Sequence, residues 1–253
     1  MIDKLYEMIC KSVPDYQGKI CVPISGGLDS RVLAGIIGRR RKIDLAYCQY
    51  HVGDDWDDRH MDYATEIQKH CNVDRFVKIG TSPRDVERDE GLIENIPFPE
   101  IQRKCGNFTG VRILAEDTGL KEYTMIGGHG LDVMTGIAVN PLTIFGKYKQ
   151  IDEALLQKMA KNRHILSHVY GHFFKDWDLP FWNYELYDFC LKLPMKYRFN
   201  QYLYRKMIQK FFPELAKIPR ADMNVPMNIG EVRYFYERCK YSLKKYCRNH
   251  SKK

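Results

Sequence analysis

Residues 20–34 read Ile20-Cys21-Val22-Pro23-Ile24-Ser25-Gly26-Gly27-Leu28-Asp29-Ser30-Arg31-Val32-Leu33-Ala34. An apolar stretch runs into a Ser-Gly-Gly turn, and the turn opens a helix. This order of residues makes an anion site. Successive main-chain N–H groups point into the turn, and the helix N-terminus adds partial positive charge. Gly26 and Gly27 let the main chain approach an anion without a Cβ clash, and Ser25 and Ser30 add hydroxyl donors. Leu28 starts the helix. Asp29 has the wrong sign for phosphate unless a cation lies between them, which makes it a candidate magnesium ligand. The plainer reading of the same residues is a tight turn with a Ser or Asp helix cap.

Two further stretches end at the same edge of a parallel sheet, where ligands collect beyond the strands' carboxyl ends. One is Tyr47-Cys48-Gln49-Tyr50. The other is Gly127-Gly128-His129-Gly130-Leu131-Asp132. Alone, the second reads as a glycine turn with an Asp cap. Opposite Ser25–Ser30, it reads as a second wall of a site, with Asp132 joining Asp29 on a metal ion. An imidazole at His129 suits a general base near neutral pH.

The elements that would position these residues alternate along the chain. Residues 1–17 suggest an amphipathic helix and 19–24 a buried strand. A helix is expected over 28–38, a strand over 44–51, a helix over 60–71 and a strand over 74–79. Residues 81–105, with Pro83, Pro97 and Pro99, read as loop-rich. A helix over 111–118 and a strand over 122–126 follow. The implied fold is α/β, a doubly wound parallel sheet, with a largely helical, aromatic-rich C-terminal portion. The division is placed near residue 145, giving a nucleotide-binding region 1–145 and a helical region 146–253.

Ser25-Gly26-Gly27-Leu28-Asp29-Ser30 resembles the pyrophosphate loop (PP-loop) of the N-type ATP pyrophosphatases, and lacks the Walker spacing and Lys. Arg31-Val32-Leu33-Ala34 is most similar to the asparagine-synthetase branch. That family cleaves ATP between the α and β phosphates and transfers AMP to a carboxylate. An amine then displaces the AMP. The resemblance implies ATP and Mg2+ as cofactors, with Ser25–Ser30 on phosphate, main-chain groups near Gln49 on adenine, and Gly127 and Gly128 lining the nucleotide. The Gly127–Asp132 stretch is similar to the family's Gly-Glu-Gly-x-Asp-Glu signature, but His129 and Val133 stand where the family has acids. Leu179–Leu186, Leu193–Arg198, Tyr204-Arg205-Lys206 and Phe212–Ala216 extend the resemblance. Gln201 occupies the place of the family's pyrophosphate-binding Lys, so phosphate charge falls to Arg205, with Lys206 beside it pointing elsewhere on a helix. Glutamine-dependent members begin with a nucleophilic Cys after Met, and Ile2 stands here. The expected partners are a small-molecule carboxylate and ammonia or an amine, with a separate glutaminase subunit as a possible ammonia source.

Of the 253 residues, 44% are hydrophobic and 28% charged, which suits a soluble enzyme. No apolar run spans a membrane and no signal-peptide pattern appears, so a cytoplasmic location is expected. The eight cysteines are scattered with no C-x-x-C pair, which suits reduced structural thiols. The net charge of +8 is concentrated in Arg39–Lys42 and in the tail, and reads as solvated surface or as a nucleic-acid contact. His164, His168 and His172 recur at four-residue spacing, as a polar stripe or as zinc ligands. The aromatics between Phe173 and Phe189 read as core. Three functions compete: an AMP-forming amide ligase, a nucleotide- or tRNA-modifying enzyme, and an ATP-binding relative without turnover.

Overall fold

Apolar residues occupy consecutive positions at Ile20–Val22 and Leu45–Cys48, as in strands covered on both faces. The computed structural model describes residues 1–53, 55–93, 105–135 and 166–250. Its sheet has β1 (Lys19–Pro23), β2 (Ile43–His51), β3 (Val73–Thr81), β4 (Tyr123–Ile126) and β5 (Asp176–Asp178). All are parallel, in the order β3-β2-β1-β4-β5.

Side-chain alternation sends Ile20, Val22, Ala46 and Cys48 into one apolar cluster and Cys21, Leu45 and Tyr47 into another. The first cluster is completed by α1 (Ile2–Ser12), α2 (Leu28–Arg40) and α3 (Asp55–Gln68). The C-terminal helices α8 (Tyr184–Leu191), α9 (Met195–Arg198), α10 (Tyr202–Phe211) and α11 (Pro213–Lys217) also pack on it. The second is completed by α5 (Cys105–Asp117) and by α7, a helix covering 166–173. Helices therefore cover both faces of an all-parallel sheet. The chain moves from β1 outward through β2 to β3, then returns to β4 on the other side of β1. That reversal opens a crevice at the carboxyl ends of β1 and β4.

Two expectations need correction. The segment read as loop-rich contains α4 (Pro83–Ile93). Pro83 takes the first helical position, where its missing N–H has no partner to lose. Ser82 and Asp85 form a reciprocal cap: the Ser82 N–H and hydroxyl donate to Asp85 Oδ2 at 2.9 and 2.7 Å, and the Asp85 N–H returns to Ser82 Oγ at 3.3 Å. The second correction is β5, a three-residue strand with acidic ends and no alternation to mark it. It lies beyond residue 145, so the portions on either side of that division share one sheet.

Within the aromatic run, Phe174 and Phe181 are buried, while Tyr184 is 78% exposed. Part of the basic run is a tie. Arg40 donates to the Cys10 and Val13 carbonyls at 2.7 and 2.5 Å, and Arg41 to the Tyr16 carbonyl at 2.8 Å, fixing the end of α1 to α2. His164 lies outside the described residues. No described helix is long and apolar enough to cross a membrane.

Candidate active site

The β1 ladder continues one residue past the strand, with the Ile24 N–H on the Tyr47 carbonyl at 2.8 Å. The chain then turns. The Ser25 N–H donates to Ser30 Oγ at 3.0 Å, the two hydroxyl oxygens lie 3.0 Å apart, and the Gly27 N–H donates to Ser25 Oγ at 3.2 Å. Ser25 and Ser30 thus brace the loop from within. Gly27 is the N-cap of α2, and no side chain caps that helix. A helix of 13 residues presents its first amides at the crevice without a side-chain acceptor, which suits an anion.

Asp29, in the first turn of α2, is where three distant segments meet. Its Oδ2 accepts the Gly130 N–H at 3.1 Å and its Oδ1 accepts the Tyr204 hydroxyl at 3.1 Å. The strand end beyond β4 is pressed against α2. An ideal Cβ on Gly128 would lie 2.9 Å from the Asp29 carbonyl oxygen and 3.0 Å from Ser30 Cα, so only glycine fits. Gly130 has φ +107°, a conformation that again favours glycine. Gly127 continues the β4–β5 ladder through its N–H on the Asp178 carbonyl at 2.9 Å. Its own missing Cβ leaves room for Leu179.

The glycines of the first loop are also packing residues. An ideal Cβ on Gly26 would lie 2.7 Å from Ala221 Cβ and 3.3 Å from His60 Nδ1. The Ala221 N–H donates to the Gly26 carbonyl at 3.3 Å. A segment near the C-terminus therefore lies directly against the loop. His60 and Ala221 carry no motif, Tyr204 stands out only as part of Tyr204-Arg205-Lys206, and a single sequence has no local signal that brings the three to residues 26–29.

The structure brings Ser25–Ser30 and Gly127–Gly130 together, and places Arg205 and Lys206 differently. Both cations reach Glu231, the first residue of α12 (Glu231–His250), at 2.5 and 2.8 Å, although the spacing suggested that they diverge. Arg205 is fully buried, donates to the Asn200 carbonyl at 3.1 Å and stacks on Tyr234 at 3.7 Å. Gln201 is buried, and its Oε1 accepts from Arg220 at 2.6 Å. Asn200 and Gln201 both take left-handed φ, 52° and 55°, an unfavourable conformation for residues with a Cβ. These bonds from Arg205 and Arg220 hold them there. Arg220 forks onto Asp222 at 2.9 and 2.7 Å. Burial alone would raise the Asp222 pKa. The charges on Arg220 and Arg238 outweigh it and hold the carboxyl below its ordinary value.

Parallel register sets the remaining wall. Tyr47 pairs with Pro23 across to β1, so two residues on, the Gln49 main chain turns to the same edge beyond the end of β1. The Gln49 side chain lies against α5, where an ideal Cβ on Gly110 would overlap it. His129 is exposed at the rim. Asp132 lies in the short helix α6 (Leu131–Met134), and the side chains of Asp132 and Val133 lie outside the described residues. No cluster of three or more His, Cys, Asp or Glu side chains suited to a metal occurs among the described residues. One oriented carboxylate, Asp29, suits Mg2+, which is commonly held by one or two carboxylates with phosphate oxygens and water. The chain matches no protein-family model and no curated protein.

Proposed function

We propose that this protein is an AMP-forming, ATP-dependent amide ligase of the PP-loop type, similar to the synthetase portion of the asparagine synthetases. The observation that carries the reading is the meeting at Asp29. An uncapped helix N-terminus, a glycine-rich strand end and a tyrosine hydroxyl converge on one carboxylate at the sheet's reversal point. In this reading Ser25, Gly26, Gly27, Leu28 and Ser30 hold phosphate, and the main chain at Gln49 receives adenine. Asp29, with Asp132, would hold Mg2+, and the ion would supply charge stabilisation for the departing pyrophosphate. A substrate carboxylate oxygen attacks the α-phosphorus and pyrophosphate leaves. Ammonia or an amine then displaces AMP from the acyl-adenylate. The chain's work in this reading is positioning and charge stabilisation, and His129 takes the proton from nitrogen. Asp29→Asn should abolish pyrophosphate release while the far-ultraviolet circular dichroism stays native. A folded, fully active Asp29→Asn enzyme would overturn the assignment.

One observation favours a second reading. Arg205 and Lys206, the cations beside the position of the family's pyrophosphate-binding Lys, are both paired with Glu231. An ATP-binding relative without turnover would have that arrangement. ATP binding by calorimetry, with no cleavage across pooled carboxylates and amines, would select it.

A further inference from the structure

Arg31 is fully buried in the first two turns of α2, and its guanidinium is saturated. Nε donates to the Gly27 carbonyl at 2.9 Å. Nη1 donates to the Leu215 and Ile218 carbonyls at 2.9 and 2.8 Å. Nη2 donates to the Gly26 and Pro219 carbonyls at 3.0 and 2.9 Å. Every one of its N–H groups meets a main-chain oxygen, and among the described residues no carboxylate forms an ion pair with it. Burial, followed by the nearby Arg220 charge, lowers its pKa to about 10, so it stays a cation at neutral pH.

We propose that Arg31 is a positioning residue for the Ser25–Ser30 loop, and that it makes the segment Leu215–Ala221 part of the same site; the functional half of this inference rests on the ATP reading above. In a trans peptide the carbonyl and the following N–H point in opposite directions. Fixing the Gly26 and Gly27 oxygens on the guanidinium therefore turns the Gly27 N–H onto Ser25 Oγ and aims the Leu28 N–H away from Arg31, toward the crevice. The same fork holds Leu215, Ile218 and Pro219, and the Ala221 N–H shares the Gly26 carbonyl oxygen with it. The strap itself is fixed. The Met227 N–H donates to the Ala216 carbonyl at 3.0 Å, and Arg220 is locked by Asp222, Gln201 and Tyr234. Loop and strap thus share one clamp and should open together. A lysine keeps the charge, but its single ammonium cannot bond five acceptors spread around a planar fork.

The test combines amide hydrogen exchange with Mg-ATP calorimetry on wild type, Arg31→Lys and a remote core control, Leu5→Ala. In wild type, the hydrogen-bonded amides of Ser25 and Gly27 in the loop and of Arg220 and Ala221 in the strap should exchange through one opening with one denaturant dependence. Arg31→Lys should speed both groups by about tenfold or more and weaken Mg-ATP binding by about tenfold or more, the loss of roughly one charged hydrogen bond. Leu5→Ala should lower the melting temperature without selectively accelerating either group or changing ATP affinity. Two separate wild-type openings would overturn the clamp, and that result needs no variant to fold. So would a folded Arg31→Lys with wild-type exchange at both segments. Should wild type bind no ATP, the ATP reading falls, and the exchange data still decide the clamp. Bound Mg-ATP that protects the loop without the strap would overturn the strap's place in the site.

Discussion

Gly128→Ala tests the account at its tightest contact. An ideal Cβ there would meet three main-chain atoms: the Asp29 carbonyl oxygen at 2.9 Å, the Asp29 carbonyl carbon at 3.0 Å and Ser30 Cα at 3.0 Å. Ordinary contact begins near 3.4 Å, so the strand end and the first turn of α2 must separate by about 0.5 Å. No flexible side chain can yield to absorb this. Overpacking of a tight site costs about 1–3 kcal/mol, which for a chain of this size lowers the melting temperature by about 2–12 °C. The functional cost should be of the same order as the stability cost. The displaced groups include Asp29 and Ser30 themselves, and misplacement by about 1 Å costs as much as 100-fold in rate. The assay pairs thermal unfolding with pyrophosphate release at saturating Mg-ATP. A Gly128→Ala protein with wild-type melting temperature and turnover would refute the packing argument. A loss of stability without loss of turnover would separate the strand end from the chemistry.

Tyr204→Phe removes a donor to Asp29 and should cost about 1–3 kcal/mol, read as a lower melting temperature together with weaker Mg2+-dependent ATP binding. An unchanged Mg2+ dependence would detach Tyr204 from the metal site. Asp222→Asn leaves Arg220 and Arg238 buried with their shared carboxylate neutralised, and should cost about 3–5 kcal/mol. The same carboxyl sets an acid dependence. Its native pKa lies below the ordinary value of about 4, so its contribution is complete above that pH and fades as the pH falls through the native pKa. Melting temperature followed from pH 7 down to about pH 2.5 should drop less steeply for Asp222→Asn than for wild type, and parallel curves would contradict the assignment.

The alternating strands and helices of the first 80 residues were legible because each is long and strongly patterned, and both loops at the crevice announced themselves through glycine. The misses have physical causes. Pro83 looked like a breaker because sequence cannot distinguish a proline at the first helical position from one in a loop. The strand Asp176–Asp178 is held by its ladder with β4 and not by its own pattern. Gly26 reads in the sequence as an anion-loop or tight-turn glycine, whereas the space beside it is also taken by Ala221 and His60. Tyr204 and Arg31 owe their roles to partners 175 and up to 188 positions away in the chain, and a single sequence carries no trace of such pairings. Arg205 reads in the sequence as phosphate charge with Lys206 diverging from it, whereas both cations are directed to Glu231, a residue without a motif.

The central claim is that this crevice cleaves ATP between its α and β phosphates on behalf of a carboxylate. The most direct measurement is separation of the nucleotide products after incubation with Mg-ATP, ammonia and pooled carboxylates. AMP and pyrophosphate in equal amounts, dependent on a carboxylate and lost in Asp29→Asn, is the expected result. ADP and inorganic phosphate, or a folded protein that binds no ATP, would contradict it.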